Sequence, residues 1–239
     1  MVAAYIAAIE RGLSPDRLEA SRPQGGDNLA MATTYFWNIA LCQSLYASLG
    51  TLEVSMRNGI HDALTAYFGN AAWYDTPNLL LTREADQIAD VKQKILRARK
   101  PLIPPRAVGG LNYGFWTSIL DSAYGNTIWT ATNPAFLVQQ AFPHAPLHYQ
   151  VRTRAHDRFN TIRTLRNRVS HHEPIWRGVL LPNGRIVPAA NLYADAIDAI
   201  GWVDPTLQAS HVALDRFPII HQNGRVMVEW EIKRHLGIL

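Results

Sequence analysis

The spacing of apolar positions predicts helices along most of the chain. Between Asn28 and about Gly69, the residues Leu45, Leu49, Leu52, Met56, Ile60, Leu64 and Phe68 recur at intervals of three and four. That places one apolar stripe on a long helix or on a closely joined pair. Asp27 stands where an N-cap is needed, and Gly69-Asn70 where a helix stops. Val2, Tyr5, Ile6, Ile9 and Leu13 keep the same rhythm, so the first segment reads as a helix docking on a core. It has no basic residue before its apolar run, and Glu10 and Arg11 interrupt it, so a cleaved leader is not expected. Further helices are expected over Thr82 to Arg99, ended by Pro101, Pro104 and Pro105, and over Leu111 to Ala123.

Leu147 to about His172 reads as another helix, because Pro174 disfavours helical geometry at Glu173. Phe159, Ile162, Leu165 and Val169 form its apolar face; His156, Asn160, Arg163, Asn167, Ser170 and His171 form the polar one. Val179 to Val187 reads as a short hairpin around Asn183-Gly184. Helices follow around Ala189 to Ile200, Pro205 to Asp215 and Val226 to His235. No internal repeat or linker-like stretch interrupts this pattern. The expectation is one all-α domain over residues 1–239, with a core at about 28–177 and the hairpin and C-terminal helices at about 178–239.

Composition narrows the class. With 48% hydrophobic and 18% charged residues in 239 positions, the chain is too apolar for disorder and long enough to bury a large core. Its single cysteine, Cys42, excludes an intrachain disulfide and a multi-thiolate zinc site, and a cytoplasmic location is the expectation. No run reaches the roughly 18 apolar residues that a membrane span needs. The charge is more telling in its distribution than in its net value of +4. Residues 151–177 carry seven arginines against Asp157 and Glu173, which makes the segment +5 and the remainder −1. Arginine outnumbers lysine nineteen to four, and its planar fork suits phosphate better than a point charge does. A polyanion such as RNA is the natural partner, the alternative being a solvated helix face.

The candidate chemistry lies in Arg166-Asn167-Arg168-Val169-Ser170-His171, followed by His172-Glu173-Pro174-Ile175-Trp176. Imidazole trades protons near neutral pH, and a guanidinium offsets charge growing on a phosphate. Together they suit metal-free RNA cleavage, with His171 moving protons and Arg166 steadying the transition state. The bare spacing is expected roughly 0.7 times by chance. It occurs twice; the second copy, Arg216 to His221, contains Pro218, which is expected to break the helix between them. Five helical steps set Arg166 and His171 about 140° apart, so they need a bent helix end, a reaching arginine or a second subunit. Asn167, four residues before His171, is placed to orient the imidazole. Glu53 is the expected partner of either Arg57 or Arg166, the alternative being an ordinary surface pair. Arg158, Arg163 and Arg168 are the expected RNA contacts.

Tyr35-Phe-Trp37-Asn38, Leu52-Glu53-Val54 with Arg57-Asn58, Trp73-Tyr74, Tyr113-Gly-Phe115-Trp116 and the whole Arg166 to Trp176 segment resemble the Abi-like (abortive infection) proteins of bacteria, which are similar to the HEPN superfamily. The resemblance covers about Tyr35 to Trp176. It implies an all-α HEPN-like bundle that forms a homodimer with a composite cleft, and metal-independent endoribonuclease activity of the toxin or phage-defence kind. It gives Arg166 and His171 as the catalytic pair, with Asn167 as the polar residue after the arginine. An antitoxin, protein or RNA, would be a further partner. One departure is Glu173, where several toxins of the superfamily have a tyrosine; a carboxylate there would repel the scissile phosphate.

His171-His172-Glu173 looks metal-like, but adjacent helical residues diverge and the i, i+4 histidine pair of a zincin is absent. No metal is expected. His172 reads as a hydrogen-bonded helix-end residue supporting the site. No nucleotide-binding glycine loop, serine triad or redox motif is present, so no cofactor is expected. The rival functions are a non-catalytic RNA- or protein-binding helical module and an assembly protein whose arginines neutralise an acidic partner.

Overall fold

Asp27 opens the longest helix as its side chain predicts, its Oδ1 accepting the Ala30 amide at 2.8 Å. Helices α1 (Val2–Leu13) and α2 (Pro15–Glu19) precede that helix, α3 (Asn28–Phe68), which is one helix of 41 residues rather than a joined pair. Gly69 ends it with a left-handed backbone, φ 64°, the conformation glycine adopts most cheaply. Then come α4 (Thr82–Arg97), α5 (Pro104–Gly109), α6 (Tyr113–Ile119) and α7 (Pro134–Ala141). After α8 (Arg152–Ser170), strands β1 (Val179–Leu180) and β2 (Ile186–Val187) pair antiparallel with Val179 opposite Val187. The chain closes with α9 (Ala189–Val203), α10 (Pro205–Leu214) and α11 (Phe217–Leu236). This is a computed structural model describing residues 1–125, 127–129 and 134–239, and at 71% helix and 2% strand it is all-α with one small hairpin.

Helices α2, α5 and α7 are not among the expected elements, α6 stops at Ile119 rather than Ala123, and three differences have a clear local reason. Leu147–Tyr149 is a separate 3-10 turn, and α8 begins only at Arg152. Pro104 and Pro105 do more than end α4: they occupy the first turn of α5, where a missing N–H costs nothing. Pro218 likewise sits in the first turn of α11, so that helix starts about two turns earlier than expected and is not broken between Arg216 and His221.

The described residues form two compact units, one made of 1–49, 164–194 and 213–239, the other of 50–163 and 195–212. In the first unit, Ile6, Leu18, Met31, Ala32, Tyr35 and Ile232 form an apolar cluster that seats α1 and α2 on α3 and α11. Gly224 lets α11 approach α3, because a Cβ there would lie 3.0 Å from Trp37 Cδ1. Leu181 and Arg185 flank the hairpin connection, where Gly184 has φ 81°. The second unit is built on aromatic rings. Trp73 and Phe115 each meet Trp116 edge-on, and Phe142, Phe159 and Trp202 pack against one another. Gly59 faces the carbonyl oxygen of Ala141 so closely that any Cβ would collide with it.

Candidate nucleic-acid interface at the end of helix α8

The last turn of α8 is closed by two reciprocal backbone bonds. The His172 amide donates to the Val169 carbonyl at 3.1 Å, and the Glu173 amide to the Arg168 carbonyl at 2.9 Å. This is a Schellman closure with His172, at φ 52°, in the place glycine usually takes. The His171 amide is shared between the Asn167 and Arg168 carbonyls, at 3.3 and 3.2 Å, so helical geometry persists through His171. Arg166 and His171 therefore keep the angular separation of about 140° that a straight helix dictates.

Distant segments hold this end in place. Asn38, on α3 and only 3% exposed, donates its Nδ2 to the carbonyls of His172 (3.4 Å) and Glu173 (3.1 Å). Its Oδ1 accepts the Ile175 amide at 2.8 Å. A buried amide side chain is thus satisfied by the chain that leaves the motif. Arg17, on α2, donates Nη2 to the His171 carbonyl at 3.2 Å. Its side chain is otherwise exposed, with no carboxylate partner among the described residues. Sequence reasoning assigns neither role. Asn38 leaves a trace as a polar residue inside an apolar helix, whereas Arg17 lies 154 residues from His171 and leaves none.

The predicted residues occupy distinct environments. His171 is exposed, and its imidazole makes no hydrogen bond or ion pair among the described residues. Asn167 is exposed. Arg166 is half-buried and engaged, and its carbonyl accepts the Ser170 hydroxyl at 2.9 Å. His172 is half-buried. Arg168 Nη1 lies 3.1 Å from Glu173 Oε2, so that carboxylate is paired with a cation. In the second unit, Arg163 Nη1 reaches Thr117 Oγ1 at 3.4 Å. Arg158 is held by the Asp195 carboxylate and the Tyr149 hydroxyl, with its guanidinium 4.7 Å above the Tyr149 ring. Those contacts engage the Arg158 guanidinium within the second unit. Arg154 is exposed, with no polar partner among the described residues. Glu53 and Arg57 are half-buried; Glu53 is engaged, and Arg57 Nε donates to Asn58 Oδ1 at 3.2 Å.

Cys42 is buried, which pushes its thiol up to about 12 and leaves it a packing residue. Among the described residues, no three His, Cys, Asp or Glu side chains gather as a metal site. No described helix is long and apolar enough to cross a membrane. A cavity of about 1030 Å³ in the first unit is lined by Tyr5, Phe36, Met227, Trp230 and other mainly apolar residues, and no motif residue borders it. Comparison with protein-family models, with curated proteins and with solved structures finds no match to this chain.

Proposed function

We propose that the chain is a metal-independent endoribonuclease of the HEPN-like kind, acting in the cytoplasm as a toxin or abortive-infection protein. The observation that carries this reading is the exposed, unengaged imidazole of His171 at a rigidly closed helix end, with the Arg17 guanidinium on its own carbonyl. An unpartnered imidazole on a pinned backbone suits proton transfer, since the ring is free to meet substrate while its Cα is fixed. In the proposed reaction His171 removes the proton of a ribose 2′-hydroxyl. The 2′ oxygen then bonds to the adjacent phosphorus as the bond to the 5′ oxygen breaks. The departing oxygen takes a proton from water, leaving a 2′,3′-cyclic phosphate. Arg166 neutralises charge on the phosphorane-like transition state, and Arg17 and Arg168 hold neighbouring phosphates. The angular separation of Arg166 and His171 favours a homodimer in which each cleft takes its arginine from one chain and its histidine from the other.

The test is cleavage of single-stranded RNA in EDTA. His171→Ala is expected to lower the rate about 10²–10⁴-fold while leaving RNA affinity within a factor of two of the parent. Equal cleavage by the parent and His171→Ala would overturn the proposal. Binding without cleavage by the parent would leave the non-catalytic RNA-binding module in its place.

A further inference from the structure

Beyond the helix end, the segment Ile175 to Gly178 borders a cavity of about 250 Å³, walled by Trp37, Trp176 and the ring of His221. On its other side His221 borders a second cavity of about 540 Å³, lined by Tyr193 and Phe217. The two spaces therefore adjoin at one imidazole. Their rings are ordered: Tyr193 stacks on Phe217 at 4.4 Å and 30°, and Phe217 lies 5.4 Å from His221 at 32°. His221 is exposed and makes no polar contact among the described residues.

The charge and hydrogen-bonding groups have a consistent sense. Arg177 is exposed and lies 4.4 Å above the Trp176 ring, with one nitrogen on the Arg22 carbonyl and no carboxylate partner among the described residues. Trp37 Nε1 is satisfied by the Ile220 carbonyl at 2.9 Å, but Trp176 Nε1 is buried with no acceptor. No Asp or Glu lines either cavity. The Asp215 carboxylate, which lines neither cavity, accepts the Ser48 hydroxyl and the Phe217 amide, each at 2.8 Å, and the Tyr193 hydroxyl. Aromatic walls, a cation at the rim, an unmatched donor and no carboxylate in the lining match a planar heteroaromatic ring attached to a phosphate.

We propose that this aromatic trough binds one unpaired nucleotide of an RNA, its base against the rings of His221 and Tyr193, which the buried Phe217 backs, and its phosphate on Arg177. The inference rests on the RNA reading of the α8 helix end but not on catalysis there. It also gives a role to the second arginine-histidine spacing, whose His221 is exposed in the first turns of an intact α11.

The full chain titrated with adenosine 5′-monophosphate and with ribose 5-phosphate, followed by NMR, tests it. The nucleotide is expected to shift the His221 ring and Trp176 indole signals and to bind at least tenfold more tightly than the sugar phosphate. His221→Ala is expected to weaken nucleotide binding about tenfold, Tyr193→Phe to leave it within twofold because stacking is kept, and His171→Ala to leave it unchanged. Equal affinity for nucleotide and sugar phosphate, or an indifferent His221→Ala, overturns the trough. If those results hold while His171→Ala still cleaves RNA, the trough stands and the nuclease assignment falls. Loss of cleavage in His171→Ala without nucleotide binding keeps the nuclease and removes the trough.

Discussion

His61 combines partial burial with one indole contact. Trp73 Nε1 donates to its Nδ1 at 3.1 Å, so that nitrogen must keep its lone pair. Burial holds the group below the ordinary 6.5; Asp62 opposes this and Arg57 reinforces it. The folded chain therefore binds this proton less readily than the unfolded chain. Stability is full above pH 6.5 and falls as the pH drops below it, until the folded imidazole protonates. The expected slope in that window is up to about 1.4 kcal/mol per pH unit. Urea unfolding at pH 7.5 and 5.5 reads it, and His61→Gln, which keeps an acceptor for Trp73 without the titration, should flatten the profile. Residue types alone suggest a structural role for His61; the lowered pKa becomes visible only once Trp73 is placed against it. Arg158 shows the same limit from the other side, since nothing local in its sequence marks Asp195 and Tyr149 as its partners.

Helix ends are the most legible elements. Asp27, Gly69 and Pro174 act through neighbours within four or five residues, so their effect is written in the local sequence. Pro218 departs from its expected role because proline breaks a helix interior but is tolerated in a first turn, and tertiary packing decides which position it holds. The end of α8 allows a direct test. His172 at φ 52° and Arg99 at φ 53°, after α4, both hold left-handed positions where a Cβ is costly. His172→Gly and Arg99→Gly are each expected to stabilise the fold by about 0.5–1 kcal/mol, read as a raised denaturant midpoint with an unchanged slope. Arg99 is exposed and serves as the control. A gain at Arg99 alone would mean that the His172 side chain contributes packing that offsets its backbone strain.

At the scale of the whole molecule, the proposed composite cleft makes a sharp prediction about mixed dimers. Arg166→Ala and His171→Ala chains, each inactive alone, should regain activity when mixed and re-equilibrated. A heterodimer restores one of two clefts, and half the dimers are mixed, so about a quarter of the parental rate is expected. No recovery on mixing, with heterodimers demonstrated, would place both residues in one chain's site. The assembly of the α8 helix end already crosses the sequence widely: α2 supplies Arg17, α3 supplies Asn38, and α11 supplies His221 to the adjoining trough.

By itself the sequence determined the helical class, the hairpin, most helix boundaries and the arginine-rich helix carrying His171. Those features follow from apolar periodicity, capping chemistry and charge density, which act between residues a few positions apart. Only the tertiary structure decided that Arg17 rests on the His171 carbonyl, that Asn38 grips the chain leaving α8, that Arg158 is used internally, and that aromatic side chains from α3, α9 and α11 border two cavities meeting at His221. Contacts between different elements depend on how helices pack, and residue spacing along the chain carries no record of that.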